Sequence, residues 1–152
     1  MKQFTLPLVR QAQRPTVILE DFYHLSAMLD TGAVLPVWVK DEKQLKKLDA
    51  VAIAFNQPFS GFGGKTFGTL YRLPFFRCGD LIYPNFPIIA SNIDLPCQIL
   101  IPATMFSNLI YKIDDYHHKL NITIPNTESN VRNMKVENKN GVLYVLCSKG
   151  DT

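Results

Sequence analysis

The chain has 152 residues, of which 47% are hydrophobic and 19% charged, which is typical of one folded domain and excludes a disordered segment. The formal net charge of +3 is too small to indicate a nucleic-acid partner, and no apolar run approaches the ~20 residues of a membrane-spanning helix. The N-terminus lacks the apolar stretch of a signal peptide, and the three cysteines are widely spaced. We therefore expect free thiols, no membrane association and a cytoplasmic location.

Strands dominate the predicted secondary structure. In the first third of the chain, apolar and β-branched runs bounded by turn residues predict strands over residues 4–9, 15–19, 22–29, 33–39 and 51–55. Pro7 is expected to keep the first strand at a sheet edge, because proline has no N–H for the ladder. The run at residues 51–55 is apolar throughout and is expected to be buried. Asp41 is expected to cap a short helix over residues 42–48.

A glycine-tipped hairpin is predicted over residues 58–73. Its tip is Ser60-Gly61-Phe62-Gly63-Gly64-Lys65, and glycines supply the positive φ angles that tight hairpin ends require. Further along, Pro102 fits the first turn of a short helix that runs to about Leu109. Apolar runs predict the remaining strands of this part of the chain, with a turn at residues 84–85 between the first two. They cover residues 81–83, 86–90, 98–101, 110–113 and 119–124.

The C-terminal region predicts one more hairpin. Asn140-Gly141 between apolar runs is the strongest short-range hairpin signal, and it joins strands at residues 134–137 and 142–146. This hairpin could cap a barrel or add to a dimer interface. We predict a single domain over residues 1–152, with a core at about 14–124, a polar linker at 125–133 and the hairpin at 134–147. The predicted fold class is all-β with one or two short helices.

A carboxylate, Asp30, stands at the end of an apolar run and is followed by Thr31 and Gly32. Burying a carboxylate costs several kcal/mol unless it is paired, hydrogen-bonded or protonated. The Thr31 hydroxyl can bond nearby backbone, and glycine allows backbone to approach closely. The pattern indicates an acid held in an apolar site, which is a candidate functional site. The tripeptide arises by chance in roughly one chain in forty of this size. The sequence around it therefore has to show whether it is a functional motif or a plain turn.

These parts together resemble the retropepsin-like (retroviral-type) aspartic protease family, over roughly residues 15–109. Residues 14–18 (Arg-Pro-Thr-Val-Ile) stand where the family begins its first core strand. Leu29-Asp30-Thr31-Gly32-Ala33 matches the catalytic motif, and residues 60–65 match the glycine-rich tip of the flap that closes over substrate. Gln98-Ile99-Leu100-Ile101 and the helix after it match the family's apolar strand and C-terminal helix in part. The resemblance implies a closed acid-protease-like β-barrel with a flap hairpin.

The resemblance also implies an aspartic endopeptidase that is active as a homodimer. Peptide hydrolysis by this chemistry needs two carboxylates that share one proton about 3 Å apart, where like charges cannot both ionise easily. The chain holds one Asp-Thr-Gly and no Asp-Ser-Gly, so a second copy has to supply the other acid. The expected substrate is an extended peptide or protein, held largely by main-chain hydrogen bonds.

The site residues expected from the resemblance follow the same motifs. Asp30, Thr31 and Gly32 are implied as catalytic, with Thr31 bonding across the dimer axis and the Gly32 amide near the carboxylates. The expected substrate contacts are Ala33, Val34, Ser60, Gly61, Phe62, Gly63, Gly64, Ile101 and Phe106. Two positions depart from the family pattern. Val34 replaces an acid found in many viral members, and Pro102 stands where the family usually has a glycine after the second apolar strand.

Two other functions stay open on the sequence alone. A retropepsin-like fold could bind an extended peptide or dimerise without catalysis, and an unrelated β-barrel could bind a small ligand. A phosphate-binding loop ending at residues 64–66 would need a glycine where Phe59 stands. His117 and His118 are adjacent, so on a strand they point to opposite faces, and no further ligand stands at metal-binding spacing. We therefore expect no metal and no cofactor.

Overall fold

Strands form most of the described chain, which comprises residues 1–11, 13–61 and 64–150 of the computed structural model. With two 3₁₀ helices beside these strands, the predicted all-β class with short helices is confirmed. The strands are β1 (Lys2–Gln11), β2 (Arg14–Leu19), β3 (Leu25–Asp30), β4 (Val37–Trp38), β5 (Val51–Gly61), β6 (Gly64–Cys78), β7 (Leu81–Ala90), β8 (Ile99–Pro102), β9 (Ile110–Asp114), β10 (Lys119–Ile124), β11 (Arg132–Lys139) and β12 (Val142–Lys149). The helices are η1 (Glu42–Leu48) and η2 (Ala103–Phe106).

The strands belong to one mixed sheet, and the centre of this sheet positions the candidate acid. The strand order is β11-β12-β5-β6-β7-β4-β8-β3-β2-β1-β10-β9. Because β3 is parallel to β8 and β8 is antiparallel to β4, the connection from β3 to β4 crosses the end of β8. Asp30 pairs with Pro102 as the last step of the β3–β8 ladder. The Asp-Thr-Gly segment therefore lies at the edge where β3 and β8 both end.

Strand β3 is buried on both faces. Leu25 and Ala27 belong to one apolar cluster, which also holds Trp38, whereas Met28 belongs to a second cluster. Successive side chains of a strand point to opposite faces, so the two clusters lie on the two sides of β3. This explains why the sequence before Asp30 is apolar throughout instead of alternating with polar residues. Because β3 is packed on both sides, the position of Asp30 at its end is fixed.

The predicted C-terminal hairpin is confirmed, and it packs on its own chain. Asn140 and Gly141 both have positive φ angles, 54° and 79°, as a tight two-residue hairpin turn requires. Strand β12 is parallel to β5 where Leu143 pairs with Phe59. Leu143 and Val145 join the second apolar cluster, together with Phe59. The hairpin therefore packs against the β5–β6 hairpin and the second apolar cluster, while its Met134 and Cys147 also pack against the other cluster.

Two predictions about edge and buried strands are wrong. Strand β1 is not at a sheet edge, because residues 2–7 pair with β10 and residues 8–11 pair with β2. Pro7 falls where β1 changes partners, so the ladder tolerates its missing N–H. The apolar run at residues 51–55 is not buried, and Phe55 is 69% exposed. Within the described chain this part of β5 pairs with β6 alone, since β12 joins β5 at Phe59.

Three elements in the middle of the chain differ from their predicted bounds. The glycine-rich hairpin is longer than residues 58–73, because β5 and β6 together extend from Val51 to Cys78. Residues 81–90 form one strand instead of two, since pairing with β6 continues on both sides of Asn85, although Asn85 has a positive φ of 51°. Strand β3 begins at Leu25 and not at residue 22, because the preceding turn contains positive φ angles.

The helices form where they were predicted, although η2 is shorter. Asp41 caps η1 through its Oδ1 atom, which accepts the Lys43 amide at 2.9 Å. Helix η2 ends at Phe106 and does not reach Leu109. The strand predicted at residues 33–39 contracts to the two residues of β4. In the part of the chain that the structure describes, no helix has the length and apolar character needed to cross a bilayer.

Candidate active site

Asp30 ends β3, and the turn that follows it orients the carboxylate. The Gly32 amide donates to Asp30 Oδ1 at 3.0 Å, and the Ala33 amide donates to the main-chain oxygen of Asp30 at 3.1 Å. The Asp30 side chain is 19% exposed, so the carboxylate reaches solvent from a mostly buried position. A main-chain donor on one carboxylate oxygen fixes the direction of the group. The Asp-Thr-Gly turn thus fixes the orientation of the Asp30 carboxylate at the end of β3.

The guanidinium of Arg14 lies beside this carboxylate, with Nη1 3.9 Å from Asp30 Oδ2. Strands β2 and β3 are antiparallel with Thr16 opposite Met28, so the same register places Arg14 opposite Asp30. We did not predict a site role for Arg14, because the register between two strands is not visible in the sequence. Arg14 is partly exposed, and such a contact contributes at most about 1 kcal/mol to stability.

A cleft of about 200 Å³ opens between Asp30 and the β5–β6 hairpin. It is lined by Arg14, Asp30, Gly32, Ala33, Val37, Phe59, Ser60, Ile93 and Leu100. Two of the expected substrate contacts, Ala33 and Ser60, lie in this cleft. Val37, Ile93 and Leu100 were not expected, although Leu100 belongs to the segment 98–101 that carries part of the resemblance. Apolar walls with a few polar groups are typical of sites that bind an organic ligand or a peptide side chain.

A second recess, of about 220 Å³, also reaches Asp30. It is lined by Pro15, Leu29, Asp30, Thr31, Ile101, Ala103, Phe106, Tyr111 and Ile113. Ile101 and Phe106 were expected as substrate contacts, and the structure places both here and not in the cleft. The Tyr111 ring packs against Phe106, with the ring centroids 5.5 Å apart. Of the residues that the structure describes, Asp30 alone lines both the cleft and the second recess.

The remaining expected contacts have other positions. Val34 lines neither recess, its side chain packs against the second apolar cluster, and its carbonyl accepts an N–H from β12 at 3.0 Å. Gly61 and Gly64 pair with each other at the end of the hairpin. Phe62 and Gly63 lie outside the described residues. The expected contacts of the hairpin tip with substrate therefore stay predictions.

The cysteine thiols are poor candidates for a second reactive centre. Burial raises the pKa of Cys78 to about 12, and burial also raises the pKa values of Cys97 and Cys147. Thiols with raised pKa values stay protonated at neutral pH and are weak nucleophiles.

At the β9–β10 turn, His117 Nδ1 lies 2.8 Å from Asp114 Oδ2. Within the described ranges, no three His, Cys, Asp or Glu side chains are grouped so that they could hold a metal ion.

The chain has the fold of a retropepsin-like aspartic protease. The chain is similar to the crystal structure of a retropepsin-like aspartic protease from Rickettsia conorii. The TM-score is 0.55 and the sequence identity 13%, and the match covers 96% of this chain and 93% of that chain. No protein-family model and no curated protein matches the sequence at a significant level. The resemblance is therefore confirmed for the fold, while the closed barrel, the flap and the homodimer stay predictions.

Proposed function

We propose that the chain is an aspartic endopeptidase that cleaves extended peptides or proteins as a homodimer, with one catalytic Asp30 from each subunit. The observation that carries this proposal is the position of Asp30. Its carboxylate is held by the Gly32 amide, and it lies in the wall of a cleft beside a long hairpin, on the retropepsin-like fold. An acid placed in this way can act on a peptide bond that enters the cleft.

The proposed chemistry needs the two Asp30 carboxylates to share one proton. Two like charges about 3 Å apart cannot both ionise easily, so one acid stays protonated, and the titration belongs to the pair. The ionised carboxylate takes a proton from a water molecule, which attacks the peptide carbonyl carbon. The protonated carboxyl donates its proton to the carbonyl oxygen, which gives a tetrahedral gem-diol. The carboxyl that took the water proton then passes it to the amide nitrogen, while the other carboxylate takes a proton from a gem-diol hydroxyl. The C–N bond breaks, and the amine and the carboxylic acid leave. The Gly32 amide, 3.0 Å from Oδ1, orients the carboxylate.

The second recess supports the homodimer. In a symmetric pair whose Asp30 carboxylates meet, the twofold axis passes beside Asp30, so Thr31 and the recess next to it face the second copy. Strand β9 ends the sheet, and its Tyr111, in the wall of the recess, is 39% exposed. We therefore assign the second recess, with Ile101 and Phe106, to contact with the partner subunit and not to the peptide.

The cleft supports an extended peptide with an apolar side chain next to the cleaved bond. Val37, Ile93 and Leu100 supply apolar walls, and the Ser60 hydroxyl supplies a polar group at the hairpin. An extended peptide is recognised through its main chain, with alternate side chains entering pockets of this kind. We propose that the β5–β6 hairpin acts as the flap, and that the glycines at its tip permit the opening that substrate entry needs.

The test is incubation of the protein with a peptide library from about pH 4 to about pH 7, with and without pepstatin. We expect cleavage that pepstatin inhibits, and we expect the Asp30→Asn variant to lose cleavage, because an amide can neither share nor transfer the proton. Circular dichroism and sedimentation should show that the variant keeps its fold and its dimer. Cleavage by the variant would contradict the mechanism, and a wild-type protein that cleaves nothing would contradict the activity.

A second candidate function is peptide binding or dimerisation without catalysis. The observation in its favour is the Arg14 guanidinium, 3.9 Å from Asp30 Oδ2, because an ion pair occupies the carboxylate that catalysis would need for water. The two functions differ in the same library experiment. A binding module would retain peptides with equal affinity in the wild type and in Asp30→Asn, and it would release them uncut.

A further inference from the structure

Arg132, the first residue of β11, is fully buried, with 0% of its surface exposed. A buried guanidinium is destabilising unless its donors are paired. Nε donates to the Met105 carbonyl at 3.2 Å, Nη2 donates to the Ser107 carbonyl, and Nη1 donates to Glu128 Oε1 at 3.3 Å. Two of these partners are main-chain carbonyls of one short segment, which consists of η2 and the residue after it.

The Met105 carbonyl receives donors from more than one strand. The buried Tyr83 hydroxyl on β7 donates to it at 2.8 Å, and the Cys147 thiol on β12 lies 3.6 Å from it. With Arg132 from β11, the oxygen therefore has more donors than lone pairs. The main chain at Met105 is thus anchored to β7 and to both strands of the C-terminal hairpin.

Helix η2 has few hydrogen bonds of its own, although its Met105 and Phe106 side chains are buried in the apolar cluster that holds Trp38. It is a single turn of four residues, and Pro102 at its start makes no side-chain capping bond. Hydrogen bonds within a 3₁₀ turn have poor geometry. Even so, η2 supplies Ala103 and Phe106 to the second recess beside Asp30. The position of this wall therefore depends on the donors that anchor Met105, which lies between the two, as well as on the packing of Met105 and Phe106.

We infer that Arg132 is a positioning residue, which fixes η2 from the C-terminal hairpin so that the Phe106 wall of the second recess is set for the partner subunit. The inference rests on the proposed function, because it takes the second recess as the subunit contact. It gives the C-terminal hairpin, which lies beyond the stretch that resembles the family in sequence, a share in assembling the catalytic pair.

The test compares the wild type with Arg132→Lys and Tyr83→Phe. Lysine keeps the charge but loses the planar fork of donors, and Tyr83→Phe removes one hydroxyl without changing the ring. The first measurement is hydrogen exchange at the amides of Ser107 and Leu109, which donate to the main-chain carbonyls of Thr104 and Phe106 in η2. The second is the dimer dissociation constant from sedimentation equilibrium, and the third is KM at a protein concentration that saturates the dimer.

In Arg132→Lys we expect both amides to exchange about tenfold faster and the dimer to dissociate about tenfold more readily, as expected for the loss of hydrogen bonds from a charged donor. Tyr83→Phe should also speed amide exchange and weaken the dimer, but by less. KM should stay unchanged in Arg132→Lys and in Tyr83→Phe. The control is Leu45→Ala, which opens a cavity beneath η1. It should lower the melting temperature without changing either the exchange of the two amides or the dimer.

Unchanged exchange in both variants would overturn the inference, and so would faster exchange with an unchanged dimer. Suppose that the wild type forms a dimer, that Arg132→Lys weakens this dimer, and that the wild type cleaves no peptide. In that case the proposed catalysis fails and the inference stands. If the wild type is monomeric at every concentration, the homodimer fails, and the assignment of the Phe106 wall to a partner fails with it.

Discussion

The two recesses that meet at Asp30 are similar in size but differ in their polar groups. The cleft beside the β5–β6 hairpin includes the Arg14 guanidinium and the exposed Ser60. Apart from Asp30 itself, the second recess has two polar side chains, the hydroxyls of Thr31 and Tyr111, in walls that are otherwise apolar. An extended peptide brings main-chain polar groups that need partners, whereas the centre of a subunit contact excludes water and charge. This difference is the reason why we propose that Asp30 faces substrate on the side of the cleft and a second copy of the chain on the side of the second recess.

A charge placed in the second recess should have the largest effect, a rise in the dimer dissociation constant. In Tyr111→Asp, a carboxylate replaces a ring that packs against Phe106, and we expect the dimer dissociation constant to rise about a hundredfold, as for a central aromatic contact. Activity should fall at low protein concentration and return at high concentration with KM unchanged. Sedimentation equilibrium and concentration-dependent rates measure this. Tyr116→Asp is the matched control, because Tyr116 is exposed and lines neither recess.

A smaller effect, on KM and not on the dimer, should follow from charge placed in the cleft. Ile93→Asp puts a carboxylate where we expect an apolar substrate side chain, and we expect KM to rise about tenfold. The dimer dissociation constant should not change. Ile53→Asp is the control, since Ile53 is an exposed apolar residue of β5 that does not line the cleft. If Ile93→Asp weakens the dimer and leaves KM alone, the roles of the two recesses are reversed.

These two variants also show what the sequence can and cannot predict. Asp30 was predictable because its signal is local: an apolar run, a carboxylate, a hydroxyl and a glycine are contiguous in the chain. The strands around it were predictable in position from their β-branched runs. Ile93 and Tyr111 were not, because each comes from a segment whose place beside Asp30 depends on how distant strands pair. No local pattern carries that information.

Register and pairing also explain the predictions that are wrong. Residues 51–55 have the apolar character of a buried strand, but they lie in the part of a long hairpin that β12 does not reach. Ile101 and Phe106 are apolar and near the acid, as predicted, yet they lie in the second recess. Local sequence thus predicts that a residue is apolar and extended. The pairing of distant strands decides which surface the residue joins.

The contact between Arg14 and Asp30 should have a still smaller effect on activity. Arg14→Gln removes a cation 3.9 Å from the acid, and because Arg14 is partly exposed we expect kcat/KM to change less than about fivefold. The dimer should be unaffected, since Arg14 lines the cleft and not the second recess. Steady-state kinetics at saturating dimer measures this. A loss of more than about fiftyfold would mean that Arg14 takes part in the chemistry itself.

The smallest effect concerns Asp114, at the end of the strand that carries Tyr111. Hydrogen bonds from the ring and the backbone of His117 hold the pKa of the Asp114 carboxyl below its usual value of 3.8. A carboxyl with a lowered folded-state pKa stabilises the chain above its unfolded pKa, and this contribution is lost as the pH falls through the folded-state pKa. Asp114→Asn should therefore lower the melting temperature slightly at neutral pH and not at about pH 2. Because these bonds close the hairpin turn and do not reach the recess, the dimer dissociation constant should change less than about twofold. A larger change would extend the subunit contact along β9 as far as its turn.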